Sequence, residues 1–199
     1  MDKVTILGPE HFHLQPDAPE VFGWLGCGKN MPCRAAFDAA WPEAAAMLRM
    51  DMLPRAALSE HEELLTVFLT LGEAPENRVN SLFAEHKYVL ASLLNTMCDQ
   101  MLFQMNHQFS DLLQRRLNAE HRYMAERQEP GVDFSPDIQR KRFAPLQSAF
   151  PEVKISSRGI LTPAKSMMYC VTLTQQACEQ TGLHDCSKCG QKDCIYRKA

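Results

Sequence analysis

Three cysteines fall within nine residues near the end of the chain: Cys186, Cys189 and Cys194, spaced C-x2-C-x4-C, with Cys178 upstream. Thiolates are soft ligands that favour zinc or iron–sulfur clusters, and four of them satisfy either kind of site. The spacing lacks the two C-x2-C knuckles usual for zinc, whereas a close run with unequal gaps and one more distant cysteine is common in iron–sulfur sites. Free or redox-active thiols are the third reading. The intervening "EQTGLHD" and "GQKD" are too polar to form a core, so a metal would be the organiser of this tail. His184 reads as a substitute ligand or as a surface histidine. Cys27, Cys33 and Cys98 lie far away in sequence. Cys98 falls in a helical stretch and reads as packing, and Cys170 is open between burial and a place near the cluster.

Two further stretches offer polar chemistry. In "RQEPG", Arg127 is expected just past a helix end, and Pro130-Gly131 makes a turn. Backbone amides beside a guanidinium form a clamp for a carboxylate; the same residues also describe an ordinary helix stop. In "TPAKS", Pro163, Lys165 and Ser166 stand before a strand, either to meet a ligand's polar group or simply to turn the chain. No Ser–His–Asp order, P-loop, dinucleotide glycine motif or HExxH occurs, so nothing marks a self-contained hydrolase or phosphoryl-transfer enzyme.

The elements that must position these residues follow from periodicity. Residues 9–33 read as irregular with a short helix around Val21–Leu25. Arg34–Met50 is Ala-rich and reads as helix, with Pro42 opening a second segment. Leu64–Gly72 is a short apolar, β-branched run closed by Gly, hence a buried strand. Between Pro75 and Pro130 there is neither Gly nor Pro. Leu90, Leu94, Met97, Met101, Met105, Phe109 and Leu112 make one apolar stripe of a long helix. Its polar face carries Asn95, Asp99, Asn106, Asp111, Gln114 and Arg115, and a shorter helix around Asn80–His86 precedes it. Ser135-Pro136 starts a short basic helix through Phe143. Val153–Ser157 and Met167–Gln175 read as extended.

The chain has 199 residues, 45% hydrophobic and 23% charged, with net charge −3. That length supports a proper core, and the charge gives no electrostatic reason to expect nucleic acid. No apolar run approaches the roughly 18 residues of a membrane span. The first residues show no apolar h-region with a cleavage site, so a cytoplasmic setting with reduced thiols is the expectation. The division expected is a body over 1–175 and a cysteine-rich, metal-binding tail over 176–199.

The three signals occur in an order that resembles small stand-alone proteins similar to the activation domain of cobalamin-dependent methionine synthase. That family has an RxxPGY turn, a segment with PxxQ, a PxKS loop before a strand and, in many stand-alone members, a CxxC…CxxR tail. The matching residues are Arg127, Pro130 and Gly131; Pro136 and Gln139; Pro163, Lys165 and Ser166; and "CSKCGQKDCIYR". "EVFGWLGCG" and "LTLG" also look like the family's N-terminal portion. The family's Tyr after Pro-Gly is Val132 here. The resemblance implies an α+β fold, a twisted antiparallel sheet flanked by helices including one long central helix. It implies S-adenosylmethionine bound at the RxxPG turn, with Arg127 on the methionyl carboxylate, amides around Gly131 completing the grip and the TPAKS loop close by. The partner it implies is a corrinoid (cobalamin-binding) protein or methyltransferase, whose cobalt is reduced from Co(II) to Co(I) and remethylated. An iron–sulfur cluster on Cys178, Cys186, Cys189 and Cys194, or a separate electron-donor protein, would supply the electron. The rival class is a non-enzymatic module with structural zinc, or an accessory that binds a corrinoid protein without redox chemistry.

Overall fold

Short apolar runs, "LLTVFLT" and "MMYCVTLT" among them, supply inner strands, and one antiparallel sheet collects them. The computed structural model describes residues 3–29, 31–178, 184, 186 and 192–197. Five strands, β1 (Lys3–Leu7), β2 (Arg55–His61), β3 (Leu64–Thr70), β4 (Tyr123–Gln128) and β7 (Ser166–Thr174), lie in the order β1-β2-β3-β7-β4. All neighbours are antiparallel. A separate small ladder pairs β5 (Lys154–Ile155) with β6 (Leu161–Thr162). The fold is α+β, as expected from the resemblance.

One sheet face packs on helices α2 (Arg34–Asp51), α3 (Ala74–Ala84) and α4 (Tyr88–Ala119). Helix α2 runs unbroken through Pro42, so the expected second segment does not separate. Proline removes the one N–H that would reach Asp38, and burial of Ala44, Ala45 and Leu48 holds the following turns in place. Helix α4 has 32 residues, about 48 Å at 1.5 Å per residue. Its stripe of Leu90, Leu94, Met97, Met101, Met105 and Phe109 is buried against the sheet.

The second face carries Ala57, Phe68 and Met168, covered by Phe143, Leu146, Phe150 and Val153. Phe68 meets Phe143 and Phe150 edge-on, each at 5.0 Å between ring centroids, worth about 1 kcal/mol per pair beyond area burial. Phe143 ends helix α5 (Pro136–Phe143), where the Ser135 hydroxyl accepts the Ile138 amide at 3.4 Å. This is the N-cap that Ser-Pro predicts.

The other face of α4 is not a solvated polar surface. Residues 13–17 run along it in extended form, and three glutamines one helical turn apart bind their backbone. Gln108, Gln104 and Gln100 accept the amides of His13, Gln15 and Asp17 at 2.9, 3.1 and 2.7 Å. Their side-chain amides donate back to the carbonyls of the same three residues. Four helical residues rise about 6.0 Å and two strand residues about 6.7 Å, so the two repeats stay in step. This ladder delivers the chain into α1 (Ala18–Trp24).

Candidate functional site: a pocket beside the cysteine tail

Arg127 lies on strand β4, not in a turn after a helix. Helix α4 has already ended at Ala119, and β4 pairs with β7 along the sheet edge. A bulge separates Met124 from Glu126, so Met124 opposes Leu173 and Arg127 opposes Val171. The extra residue sets Arg127 on the same face as Met124, toward α4; strict alternation would have placed it opposite. There the guanidinium stacks on the Tyr169 ring, 3.6 Å from its centroid, a cation–π contact of about 1–2 kcal/mol. Its Nε donates to Glu129 Oε1 at 2.6 Å, and the same oxygen meets His184 Nδ1 at 3.2 Å. Burial pushes the Tyr169 hydroxyl up to about 12.

These groups open on a cavity of about 380 Å³, within the range of small-molecule pockets, roughly 300–1,000 Å³. Glu20 and Trp24 of α1 form one wall and Gln100, Phe103, Gln104, Asn106 and His107 of α4 another. Arg127, Glu129 and Met167 close the sheet side, and His184, Cys186, Cys194, Tyr196 and Arg197 of the tail close the last. Trp24, Phe103 and Tyr196 pack edge-to-face or tilted, 4.9–5.8 Å apart. Asn106 is 4% exposed, and its Oδ1 has no hydrogen-bond partner among the described residues. A buried acceptor without a partner costs about 1–3 kcal/mol, unless something occupying the pocket donates to it.

The tail is held by named contacts. The Tyr196 hydroxyl donates to Asp99 Oδ2 at 2.7 Å, and Lys165 Nζ donates to Asp99 Oδ1 at 2.6 Å and to Asn95 O at 3.3 Å. Burial and the Asp99 carboxylate both push the Tyr196 hydroxyl upward, so it stays protonated and donating. Arg197 donates to the Cys186 carbonyl. The Cys178 thiol donates to the Met124 carbonyl at 3.0 Å.

The expected site residues are therefore distributed. Arg127, Cys186 and Cys194 line one pocket. Pro163, Lys165 and Ser166 do not line it: Thr162–Pro163 is a cis bond, Ser166 Oγ donates to Thr70 Oγ1 at 2.9 Å, and Lys165 is paired with Asp99, which in turn accepts from the pocket residue Tyr196. Pro130 and Gly131 also stand outside the lining. Gly131, at φ 78°, donates its amide to Phe134 O, and Val132 and Asp133 donate theirs to Glu129 O. The amides expected to grip a ligand are thus spent inside the turn. Cys189 lies outside the described residues. Among those described, no three His, Cys, Asp or Glu side chains converge to hold a metal ion, and Cys178 turns to a carbonyl. Sequence reasoning missed Glu20, Trp24, Gln100, Phe103 and Tyr196 as pocket residues, and it placed Asn106 only on the polar face of the long helix.

No protein-family model matches the sequence, and no curated protein matches it. The fold does have a solved counterpart. The MetH reactivation domain bound to AdoHcy matches with a TM-score of 0.54 and 10% identity, over 85% of this chain and 78% of that one. At that identity the likeness is one of fold. Among the described residues no helix is long and apolar enough to cross a membrane.

Proposed function

We propose that this chain binds S-adenosylmethionine in the pocket at Arg127 and serves in the reductive reactivation of a corrinoid protein. The observation that carries the reading is the meeting of Arg127 with Cys186 and Cys194 around one cavity. A fold shared with a reactivation domain solved with AdoHcy supports it.

The lining suits an adenosyl amino acid. Arg127 offers a guanidinium for a carboxylate, Glu20 and Glu129 offer carboxylates for an ammonium, and Phe103 and Trp24 offer flat apolar surface for a purine. Asn106 Oδ1 offers an acceptor for an N–H donor of the ligand. Tyr169, under the guanidinium, and Glu129, beside it, fix the orientation of Arg127. Bound there, S-adenosylmethionine would supply a methyl group to the cobalt held by the partner protein, and an iron–sulfur cluster on Cys178, Cys186, Cys189 and Cys194 would supply an electron. For the cluster, Cys178 would have to leave the Met124 carbonyl. The tail's own part is to cover the pocket and exclude water from it. The setting proposed is cytoplasmic, with the body and tail acting as two functional parts of one accessory protein.

Titration of the purified chain with S-adenosylmethionine tests the reading. Saturable binding at one site per chain supports it; no binding, with or without a corrinoid protein, contradicts it.

A further inference from the structure

Two cysteines that the pocket does not use lie against each other. Cys27 and Cys33 place their sulfur atoms 2.8 Å apart, and both are thiols. Each is set by a defined helix end. Helix α1 closes with the Cys27 amide on Phe22 O at 2.9 Å and the Gly26 amide on Gly23 O at 3.0 Å, with Gly26 at φ 64°. This paired arrangement needs a left-handed residue, which glycine supplies without strain. It buries Cys27 to 1% exposure beside Phe22. Cys33 is the N-cap of α2 and is exposed. The turns Met31 N–Gly28 O and Arg34 N–Met31 O, each 3.0 Å, fold the connecting residues back. The other core cysteines differ: Cys98 and Cys170 are both fully buried, within α4 and β7.

We propose that Cys27 and Cys33 are a reversible dithiol–disulfide site, distinct from the cysteines of the tail. The co-reactant is a low-molecular-weight disulfide. The exposed Cys33 sulfur, as thiolate, attacks one sulfur of that disulfide, forming a mixed disulfide and releasing one thiol. The Cys27 sulfur then attacks Cys33, forming the Cys27–Cys33 bond and releasing the second thiol. Two electrons pass from the cysteine pair to the reagent, and the two thiol protons end on the released thiols. Contact with Cys33 first, and burial second, push the Cys27 thiol up to about 11, so the first attack on the reagent falls to the exposed Cys33. Disulfides in reducing compartments are usually transient and redox-sensing. Cys27 stands three residues beyond Trp24, so the bond would tie the pocket's aromatic wall to the start of α2. The proposal does not depend on what the pocket binds.

The test is incubation of the whole chain with oxidised glutathione, alkylation of remaining thiols, and peptide mapping without reduction. The expected result is one cross-linked Cys27–Cys33 product, the loss of two alkylation adducts at these positions, and their return after dithiothreitol. In Cys33→Ser, a change at an exposed position, Cys27 is expected to stay a free thiol under the same treatment. Free thiols or separate glutathione adducts at both positions would overturn the proposal. So would a bound metal ion that shields the pair, or cross-links of Cys27 to a tail cysteine.

Discussion

Lys165 and Asp99 form a buried ion pair at 2.6 Å, with side chains only 10% and 19% exposed. The loop before β7 is thereby pinned to the middle of α4. The second carboxylate oxygen of Asp99 holds Tyr196, so one acidic residue joins the loop, the long helix and the tail.

Lys165→Met is expected to destabilise the chain by about 3 kcal/mol, because it leaves the Asp99 carboxylate enclosed without its cation. Urea unfolding of the two proteins measures this. The double variant Lys165→Met with Asp99→Leu is expected to recover most of the loss, since no lone charge then remains. A single variant as stable as the wild type would mean that the pair contributes nothing.

Tyr196 docks the tail in two ways, by its hydroxyl on Asp99 and by its ring against Trp24 and Phe103. In the metal-free chain, Tyr196→Phe is expected to speed alkylation of Cys186 and Cys194 about tenfold or more, and Tyr196→Ala, which also removes the ring contacts, further still. A hydrogen bond to a charged group is worth about 1.5–3 kcal/mol, and each tenfold change corresponds to about 1.4 kcal/mol. Equal alkylation rates in all three proteins would contradict the docking.

The inner elements were legible because their signals are local. The stripe of α4, the apolar run of β3 and the Ser135 cap each sit within one element and match the burial seen. Arg127 was misplaced because β4, "YMAERQ", is a polar edge strand with one neighbour, and nothing local announces the bulge that turns the arginine toward α4. Asn106 read as part of the polar face of α4, and Gln100 drew no reading, because the cover of that side comes from afar: Gln100 meets Asp17 across 83 positions of sequence. Tyr196 drew no attention because its partners are distant in sequence, Asp99 being 97 positions away. The order of RQEPG, TPAKS and the cysteine tail did point to the right fold, although Pro130, Gly131 and Ser166 serve the chain's own turns and strands.

Alkaline pH is expected to weaken the fold. Burial raises Cys98 from an ordinary 9.0 to about 12 and Tyr169 from 10.0 to about 12. Between these values the unfolded chain releases protons that the folded chain keeps, so stability is fully present below about pH 9 and falls toward pH 12. A tenfold difference in proton affinity between the folded and unfolded chain corresponds to about 1.4 kcal/mol, which makes the combined effect several kcal/mol. Cys98→Ala is expected to give a shallower alkaline decline in urea midpoint than the wild type, despite a small loss of packing at neutral pH. Parallel declines would contradict this origin.

Anaerobic purification followed by metal and acid-labile sulfide analysis checks the tail. Iron with sulfide is expected, and Cys194→Ser or Cys189→Ser is expected to lose it. One zinc per chain without colour would assign the cysteines a structural role instead.

The central claim is that the pocket at Arg127 holds S-adenosylmethionine, and calorimetric titration tests it most directly. The account predicts one-site binding by the wild type and at least tenfold weaker binding by Arg127→Met. Asn106→Leu is predicted to bind more weakly as well, while unfolding at equal or higher urea because its orphaned acceptor is gone. Absence of binding by the wild type, or equal affinity in Arg127→Met, would contradict the account.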